Sequence, residues 1–295
     1  MASMVRAENL SSAWIEAMRE LIRLGGKEVN LAVVISAPTH EDRNVRRVLD
    51  AFTPSKRTKI QPVSTVANTI FPAPYYHHGP GIVARQRLYA LYRGAYTVVQ
   101  RHPSRPWGTY FHRLVAYPAD NGMTVNQLEE TILRLTAQLA RPNPLSSAYE
   151  LGVTFPEGHA GCAEAAQDIG EDLRIYRPGK DRRLRGGPCL SHVSLKLVER
   201  KLHMTALYRN QYFISRAYGN YVGLGRLLDF LCRETNCTPG ELLCIATHAD
   251  AELDLGICAI RQLVQDCLDV AADRPRAAST PKRLERATPN TMGVT

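Results

Sequence analysis

Apolar residues along this chain switch repeatedly between helical and strand spacing, and the switches mark its elements. "SAWIEAMRELIRLG" (12–25) repeats its apolar positions every three or four residues and stops on Gly-Gly, which predicts a first helix. "VNLAVVIS" (29–36) is a short, nearly continuous apolar run and reads as a buried strand. "RQRLYALYRGAYTVVQRH" (85–102) predicts a second helix. "TVNQLEETILRLTAQLARP" (124–142) has the plainest helical period, with Thr124 as N-cap, Gln127 at the capping-box position and a proline stop. "CLSHVSLKLVER" (189–200) and "KLHMTALYRN" (201–210) predict two strands joined by a tight turn around Arg200. A helix over 219–235, with glycines at 223 and 225, a strand over 239–250 and a last helix over 256–273 complete the pattern.

Strands and helices mix without regular βαβ alternation, so the expected class is α+β, with one domain over residues 1–272. Residues 150–185 are rich in Gly, Pro and charge and predict a long surface excursion. Residues 273–295 hold five basic and two acidic side chains among Pro, Ser and Thr, and are expected to be a flexible basic tail.

Composition narrows the function classes. With 295 residues, 44% of them hydrophobic, the chain can bury a substantial core. No run approaches the roughly 18 apolar residues of a membrane helix, and the N-terminus lacks a signal-peptide core, so a cytoplasmic protein with no membrane partner is expected. Seven scattered cysteines form neither a CxxC nor a Cys/His cluster of zinc spacing, which favours a reducing compartment and no metal. The net charge of +9 suits an anionic partner: a nucleotide, a polyglutamylated cofactor or a nucleic acid. The basic residues form no patch interleaved with aromatics, so nucleic acid ranks low.

Cys189 is the candidate for chemistry. It stands in "GGPCLSHVSLKL" (186–197), preceded by Arg182, Arg183 and Arg185, with Arg209 on the neighbouring strand. Guanidinium groups near a thiol favour the attacking thiolate, whereas the plain reading of such a cysteine is a small core residue.

Further motifs stand in register with it: Pro188-Cys189, Arg209-Asn210, Gly219-Asn220 at the opening of a long helix, Gly240-Glu241 and Thr247-His248. The run over 186–248 resembles the catalytic half of the thymidylate synthase and pyrimidine nucleotide hydroxymethylase family. "WGTYFHRLVAYP" (107–118) resembles that family's Gly-x-Tyr segment in shortened form, and "TVANTIFP" (65–72) takes the place of its early strand.

The resemblance implies a mixed sheet flanked by helices, a homodimer, and folate-dependent one-carbon transfer to C5 of a pyrimidine nucleotide, with 5,10-methylenetetrahydrofolate as donor. It implies that Cys189 adds to C6, that Arg209 grips the phosphate, and that Asn220 reads the base, in the form that goes with uracil. Asn210 lies beside Arg209 in the substrate site, His248 near the sugar, and Tyr110 in the water network that moves the C5 proton.

The departures are specific. "PLSSAYEL" has no basic residue where the family places a partner-subunit arginine pair, which shifts phosphate binding to Arg182, Arg183 or Arg185. "IVARQRLYALYRG" lacks the family's glutamate, Tyr212 replaces an aspartate, Trp107 is the only candidate left for the compressed tryptophan-containing segment before the Gly-x-Tyr motif, and the tail has no closing lid. An open site favours hydroxymethylation over methylation. The alternative is a nucleotide-binding homologue of the same fold without turnover, or one that works without folate. A cysteine hydrolase using Cys189 and His248 ranks last, because no orienting motif accompanies the pair.

Overall fold

Nine strands and eight α-helices are found among the residues that the computed structural model describes: 3–54, 60–77, 79–100, 108–118, 123–140, 171–176 and 187–272. The strands are β1 (Met4–Ala7), β2 (Lys27–Ile35), β3 (Tyr117–Pro118), β4 (Thr124–Val125), β5 (Glu171–Arg174), β6 (Leu190–Val198), β7 (Lys201–Tyr208), β8 (Gln211–Tyr212) and β9 (Thr238–Asp250). The helices are α1 (Leu10–Arg23), α2 (Arg43–Ala51), α3 (Val63–Ile70), α4 (Ile82–Gln100), α5 (Tyr110–Val115), α6 (Gln127–Leu139), α7 (Tyr218–Thr235) and α8 (Ile257–Ala272). A π-helical turn, Phe213–Ala217, leads into α7. The α+β class is as expected.

Seven strands form one mixed sheet in the order β1-β2-β9-β7-β6-β5, with β8 added to β9. The pairs β1/β2, β7/β9 and β8/β9 are parallel, and the remaining pairs are antiparallel. The β6–β7 hairpin turns on Glu199 and Arg200, both at positive φ (48° and 63°). A two-residue connection between right-twisted strands requires two such residues.

Alternation decides which face is covered. Leu202, Met204, Ala206 and Tyr208 of β7, with Leu242, Cys244 and Ala246 of β9, are buried. Thr205, Leu207, Leu243 and Ile245 between them are half-buried. Helix α1 packs on β1 and β2, and α7 on β7 and β9. The Trp14 indole ties the two layers together, donating to the Phe213 carbonyl at 2.8 Å and meeting the Tyr218 ring edge-on.

Two sequence expectations are corrected. "TVANTIFP" is not a strand: Val63, Val66, Ala67 and Ile70 are buried at helical spacing in α3. That helix lies directly on α7, where Gly219 and Gly223 permit the approach; a Cβ on Gly223 would stand 2.8 Å from the Ala67 carbonyl. Helix α6 starts at Gln127, not Thr124, because Asn126 accepts from the Glu129 amide at 3.1 Å while Thr124 pairs with Pro118 across β3 and β4. Trp107, Arg182, Arg183, Arg185 and the tail 273–295 lie outside the described residues, as does most of the 150–185 segment. No helix among the described residues is long and apolar enough to cross a membrane.

Candidate functional site

Backbone pairing sets Cys189 beside Arg209. The Arg209 amide donates to the Cys189 carbonyl at 2.8 Å, one step beyond the Leu190–Tyr208 pair that ends the β6–β7 ladder. The register slips between Leu190 and His192, an irregularity of the kind that re-aims side chains at a strand end. The Arg209 guanidinium is held in place: Nη2 donates to the Pro188 carbonyl at 2.5 Å, and Cζ lies 4.6 Å from the centroid of the Tyr176 ring. Thr247 Oγ1 fixes the backbone by donating to the Arg209 carbonyl at 2.8 Å. Arg209 Nε is buried without a protein partner.

A cluster of phenols lies under this corner. The backbone at Leu190 and Cys189 hydrogen-bonds to the buried Tyr110 hydroxyl, and Tyr110 feels the Cys189 charge. Tyr208 is electrostatically coupled to Cys189, Tyr110, Tyr221 and Cys244, and burial pushes its phenol well up. Tyr208 and Tyr221 are fully buried, Gln211 is nearly so, and none of their side-chain polar atoms has a partner. Each such orphan costs about 1–3 kcal/mol. Gln138 of α6 carries two further unpartnered atoms, so these groups are not confined to the Cys189 corner.

The π-helical turn supplies a second guanidinium. Arg216 on this turn is exposed, yet its charge pulls both the Cys189 thiol and the Tyr110 phenol down. The turn is anchored by Glu252, whose Oε2 accepts from the Ser215 amide at 2.7 Å, and by the Trp14 bond to Phe213. Insertions of this type recur at functional sites.

The expected resting thiolate is not supported. Burial pushes the half-buried Cys189 thiol up and outweighs the downward pull of Arg209 and Arg216. Two guanidiniums lower the cost of ionising this sulfur without cancelling its loss of water.

Of the remaining candidates, Asn220 is buried in the first turn of α7, whose N-cap is Ala217, so the plain reading of a helix cap is removed. Asn210 is exposed beside Arg209. His248 is half-buried on β9 opposite Val29, and neither it nor Asn220 hydrogen-bonds to Cys189 or Arg209. Reasoning from sequence missed Arg216, Tyr176, Tyr208, Gln211 and Tyr221. The stretch "YRNQYFISRAYGNY" carried four of them in plain view, but no period reveals a π-insertion.

Two other polar features are accounted for within the protein. On α4, Arg85 makes a bidentate pair with Glu129 (2.9 and 2.8 Å) and a 2.7 Å bond to the buried side chain of Glu234, which also accepts from the Tyr76 hydroxyl. The acids near α4 are thus consumed by its arginine. An open depression of about 300 Å3 between α7 and the segment 38–41 is lined by Glu41, Arg226, Asp229 and Arg233 among others. Asp229 and Glu41 there are already paired, with Arg233 and Arg46. It shares no residue with the Cys189 cluster, and Arg209 and Arg216 by contrast have no carboxylate partner among the described residues. Nor does any group of three or more His, Cys, Asp or Glu among those residues stand ready to hold a metal.

No protein-family model matches the chain, and no curated protein sequence matches it.

Proposed function

We propose that this chain is a transferase acting at C5 of a pyrimidine nucleotide, with Cys189 as the nucleophile. The observation that carries this reading is Cys189 joined through its carbonyl to the Arg209 amide, with the charges of Arg209 and Arg216 felt at its sulfur and neither guanidinium paired with a carboxylate among the described residues. A substrate anion between the arginines and a ring over the sulfur use all of these groups at once.

The step balances as follows. Cys189 gives up its proton, the sulfur bonds to C6, and the C5=C6 electron pair moves into an enolate. C5 then bonds to the carbon of a one-carbon electrophile, whose heteroatom takes up the displaced electron pair; C5 loses its proton to a base, and the C6–S bond breaks to restore the ring double bond and the thiolate. Tyr110, hydrogen-bonded to the backbone at Cys189 and Leu190, is the phenol assigned to the proton step. Asn220 offers a donor and an acceptor to the base edge.

Methylenetetrahydrofolate is the donor that the resemblance implies, with hydroxymethylation ahead of methylation. The described residues do not fit it well: α4 carries Arg85 in place of an acid, and Glu129 and Glu234 are bound to that arginine. The chain's own residues account for the activated C5, and the one-carbon donor enters as a co-substrate to be tested.

A second reading, nucleotide binding without turnover, is favoured by the raised thiol. Uridylates and cytidylates tritiated at C5 separate the two. Catalysis releases tritium to water from at least one of them, and Cys189→Ser abolishes the release. No release from any, with or without methylenetetrahydrofolate, overturns the catalytic reading; binding that survives Cys189→Ser then supports the second.

A further inference from the structure

Pairing within the protein settles three of the four charged side chains that line the depression between α7 and the segment 38–41: Asp229 with Arg233, and Glu41 with Arg46 of α2. Arg226 is left over. It belongs to the stripe Val222, Arg226, Asp229 and Arg233, spaced every three or four residues, with which α7 lines the depression. The side chain is half-buried, and its one hydrogen bond among the described residues runs from Nη1 to a neutral amide, Asn68 Oδ1 of α3, at 3.2 Å. It has no carboxylate partner among those residues. Burial, and after it the Arg46 charge, disfavour the charged guanidinium, a cost that a bound anion relieves.

The edge that remains free is specific. With Nη1 given to Asn68, the edge formed by Nε and Nη2 makes no hydrogen bond, and neither atom is buried. Arg85 shows what that edge takes in this chain: its Nε and Nη2 hold the two Glu129 oxygens at 2.9 and 2.8 Å. A planar carboxylate matches such a fork. Glu41 and Asp229 line the same depression, so a second negative charge on the ligand is repelled. Leu10, Pro38 and Val222 supply apolar lining. The walls are set in advance: the Leu10 amide donates to the His40 carbonyl at 3.0 Å and the Asp42 amide to Ser11 Oγ at 2.7 Å, and a Cβ on Gly225 would collide with the Pro38 carbonyl.

We infer that this depression is a binding site for a small organic monocarboxylate, with its two oxygens on the Nε/Nη2 edge of Arg226 and its apolar body against Leu10, Pro38 and Val222. The site uses no residue of the Cys189 cluster and does not rest on the nucleotide reading.

The test titrates the 15N-labelled full chain at constant ionic strength with three probes: hexanoate, its neutral analogue hexanamide, and inorganic phosphate. The readout is the Arg226 Nε–H resonance, assigned by its absence from Arg226→Gln or Arg226→Lys, whichever folds. Hexanoate shifts it saturably, with a Kd of about 1 mM or tighter, and hexanamide and phosphate bind at least about tenfold more weakly. Arg226→Lys keeps the charge and removes the fork, and weakens hexanoate about tenfold by calorimetry. Cys189→Ser leaves hexanoate binding unchanged. No saturable shift up to about 10 mM hexanoate overturns the site. An equal response to phosphate overturns the carboxylate, and undiminished hexanoate binding by Arg226→Lys overturns the fork.

Discussion

At the scale of single residues, the cluster is a balance between desolvation and charge. Cys189 loses water, which favours the thiol, and gains Arg209 and Arg216, which favour the thiolate. A substrate anion bound to both arginines would weaken their pull on the sulfur, so adduct formation relies on the ring being held in contact rather than on a free thiolate at rest. The orphaned phenols below carry the clearest prediction. The Tyr208 hydroxyl is fully buried and unpartnered, so Tyr208→Phe removes a desolvated group without breaking any protein hydrogen bond. Urea denaturation should show stability unchanged or raised by about 1–3 kcal/mol. A loss of stability would mean that the hydroxyl is satisfied within the fold.

At the scale of elements, helix α7 organises the molecule, and its glycines explain how. Gly219 and Gly223 lie against α3, with the Val66 and Ile70 side chains and the Val63 and Ala67 carbonyls in the space a methyl would take. Gly223→Ala should cost about 1–3 kcal/mol by overpacking, measured as a lowered urea midpoint. In α5, His112 stacks on Tyr96 at 3.6 Å with the rings 6° from parallel, and burial, helped by Arg113, pushes its pKa down to about 4. The unfolded chain binds that proton near the ordinary value of about 6.5. Between these values the unfolded state carries more protons, so stability present above about pH 6.5 is lost as pH falls toward 4. His112→Phe, which keeps the stack and cannot titrate, should lose less stability than wild type between neutral and acid pH.

The same elements show what a sequence displays. Strands β6, β7 and β9 and helices α1, α4, α7 and α8 were legible because each carries a full period of burial. Helix α3 was misread because a resemblance to an early strand was set above the Val63, Val66, Ala67, Ile70 spacing. Cys189 and Arg209 were found because their types and spacing carry chemistry. Arg216 was not, because an insertion in the hydrogen-bond ladder leaves no mark in the order of residues.

At the scale of the whole molecule, helices α1 and α7 cover one face of the sheet, and the other face bears Thr205, Leu207, Leu243 and Ile245, paired across β7 and β9. For the homodimer that the resemblance implies, this half-buried apolar strip is the proposed contact surface. Light scattering should give twice the chain mass, and Leu243→Arg should halve it. A wild type that is monomeric at assay concentration removes the homodimer.

The most direct measurement of the central claim is the intact mass of the protein after incubation with 5-fluoro-2′-deoxyuridine 5′-monophosphate, with and without methylenetetrahydrofolate. Once C5 has taken up the one-carbon unit, the fluorine cannot leave as a proton does, so the sulfur–C6 bond is trapped. The account predicts a mass increase of at least one nucleotide, mapped to the Cys189 peptide, absent in Cys189→Ser and diminished in Arg209→Ala. An unmodified wild type, or an adduct on any other cysteine, contradicts it.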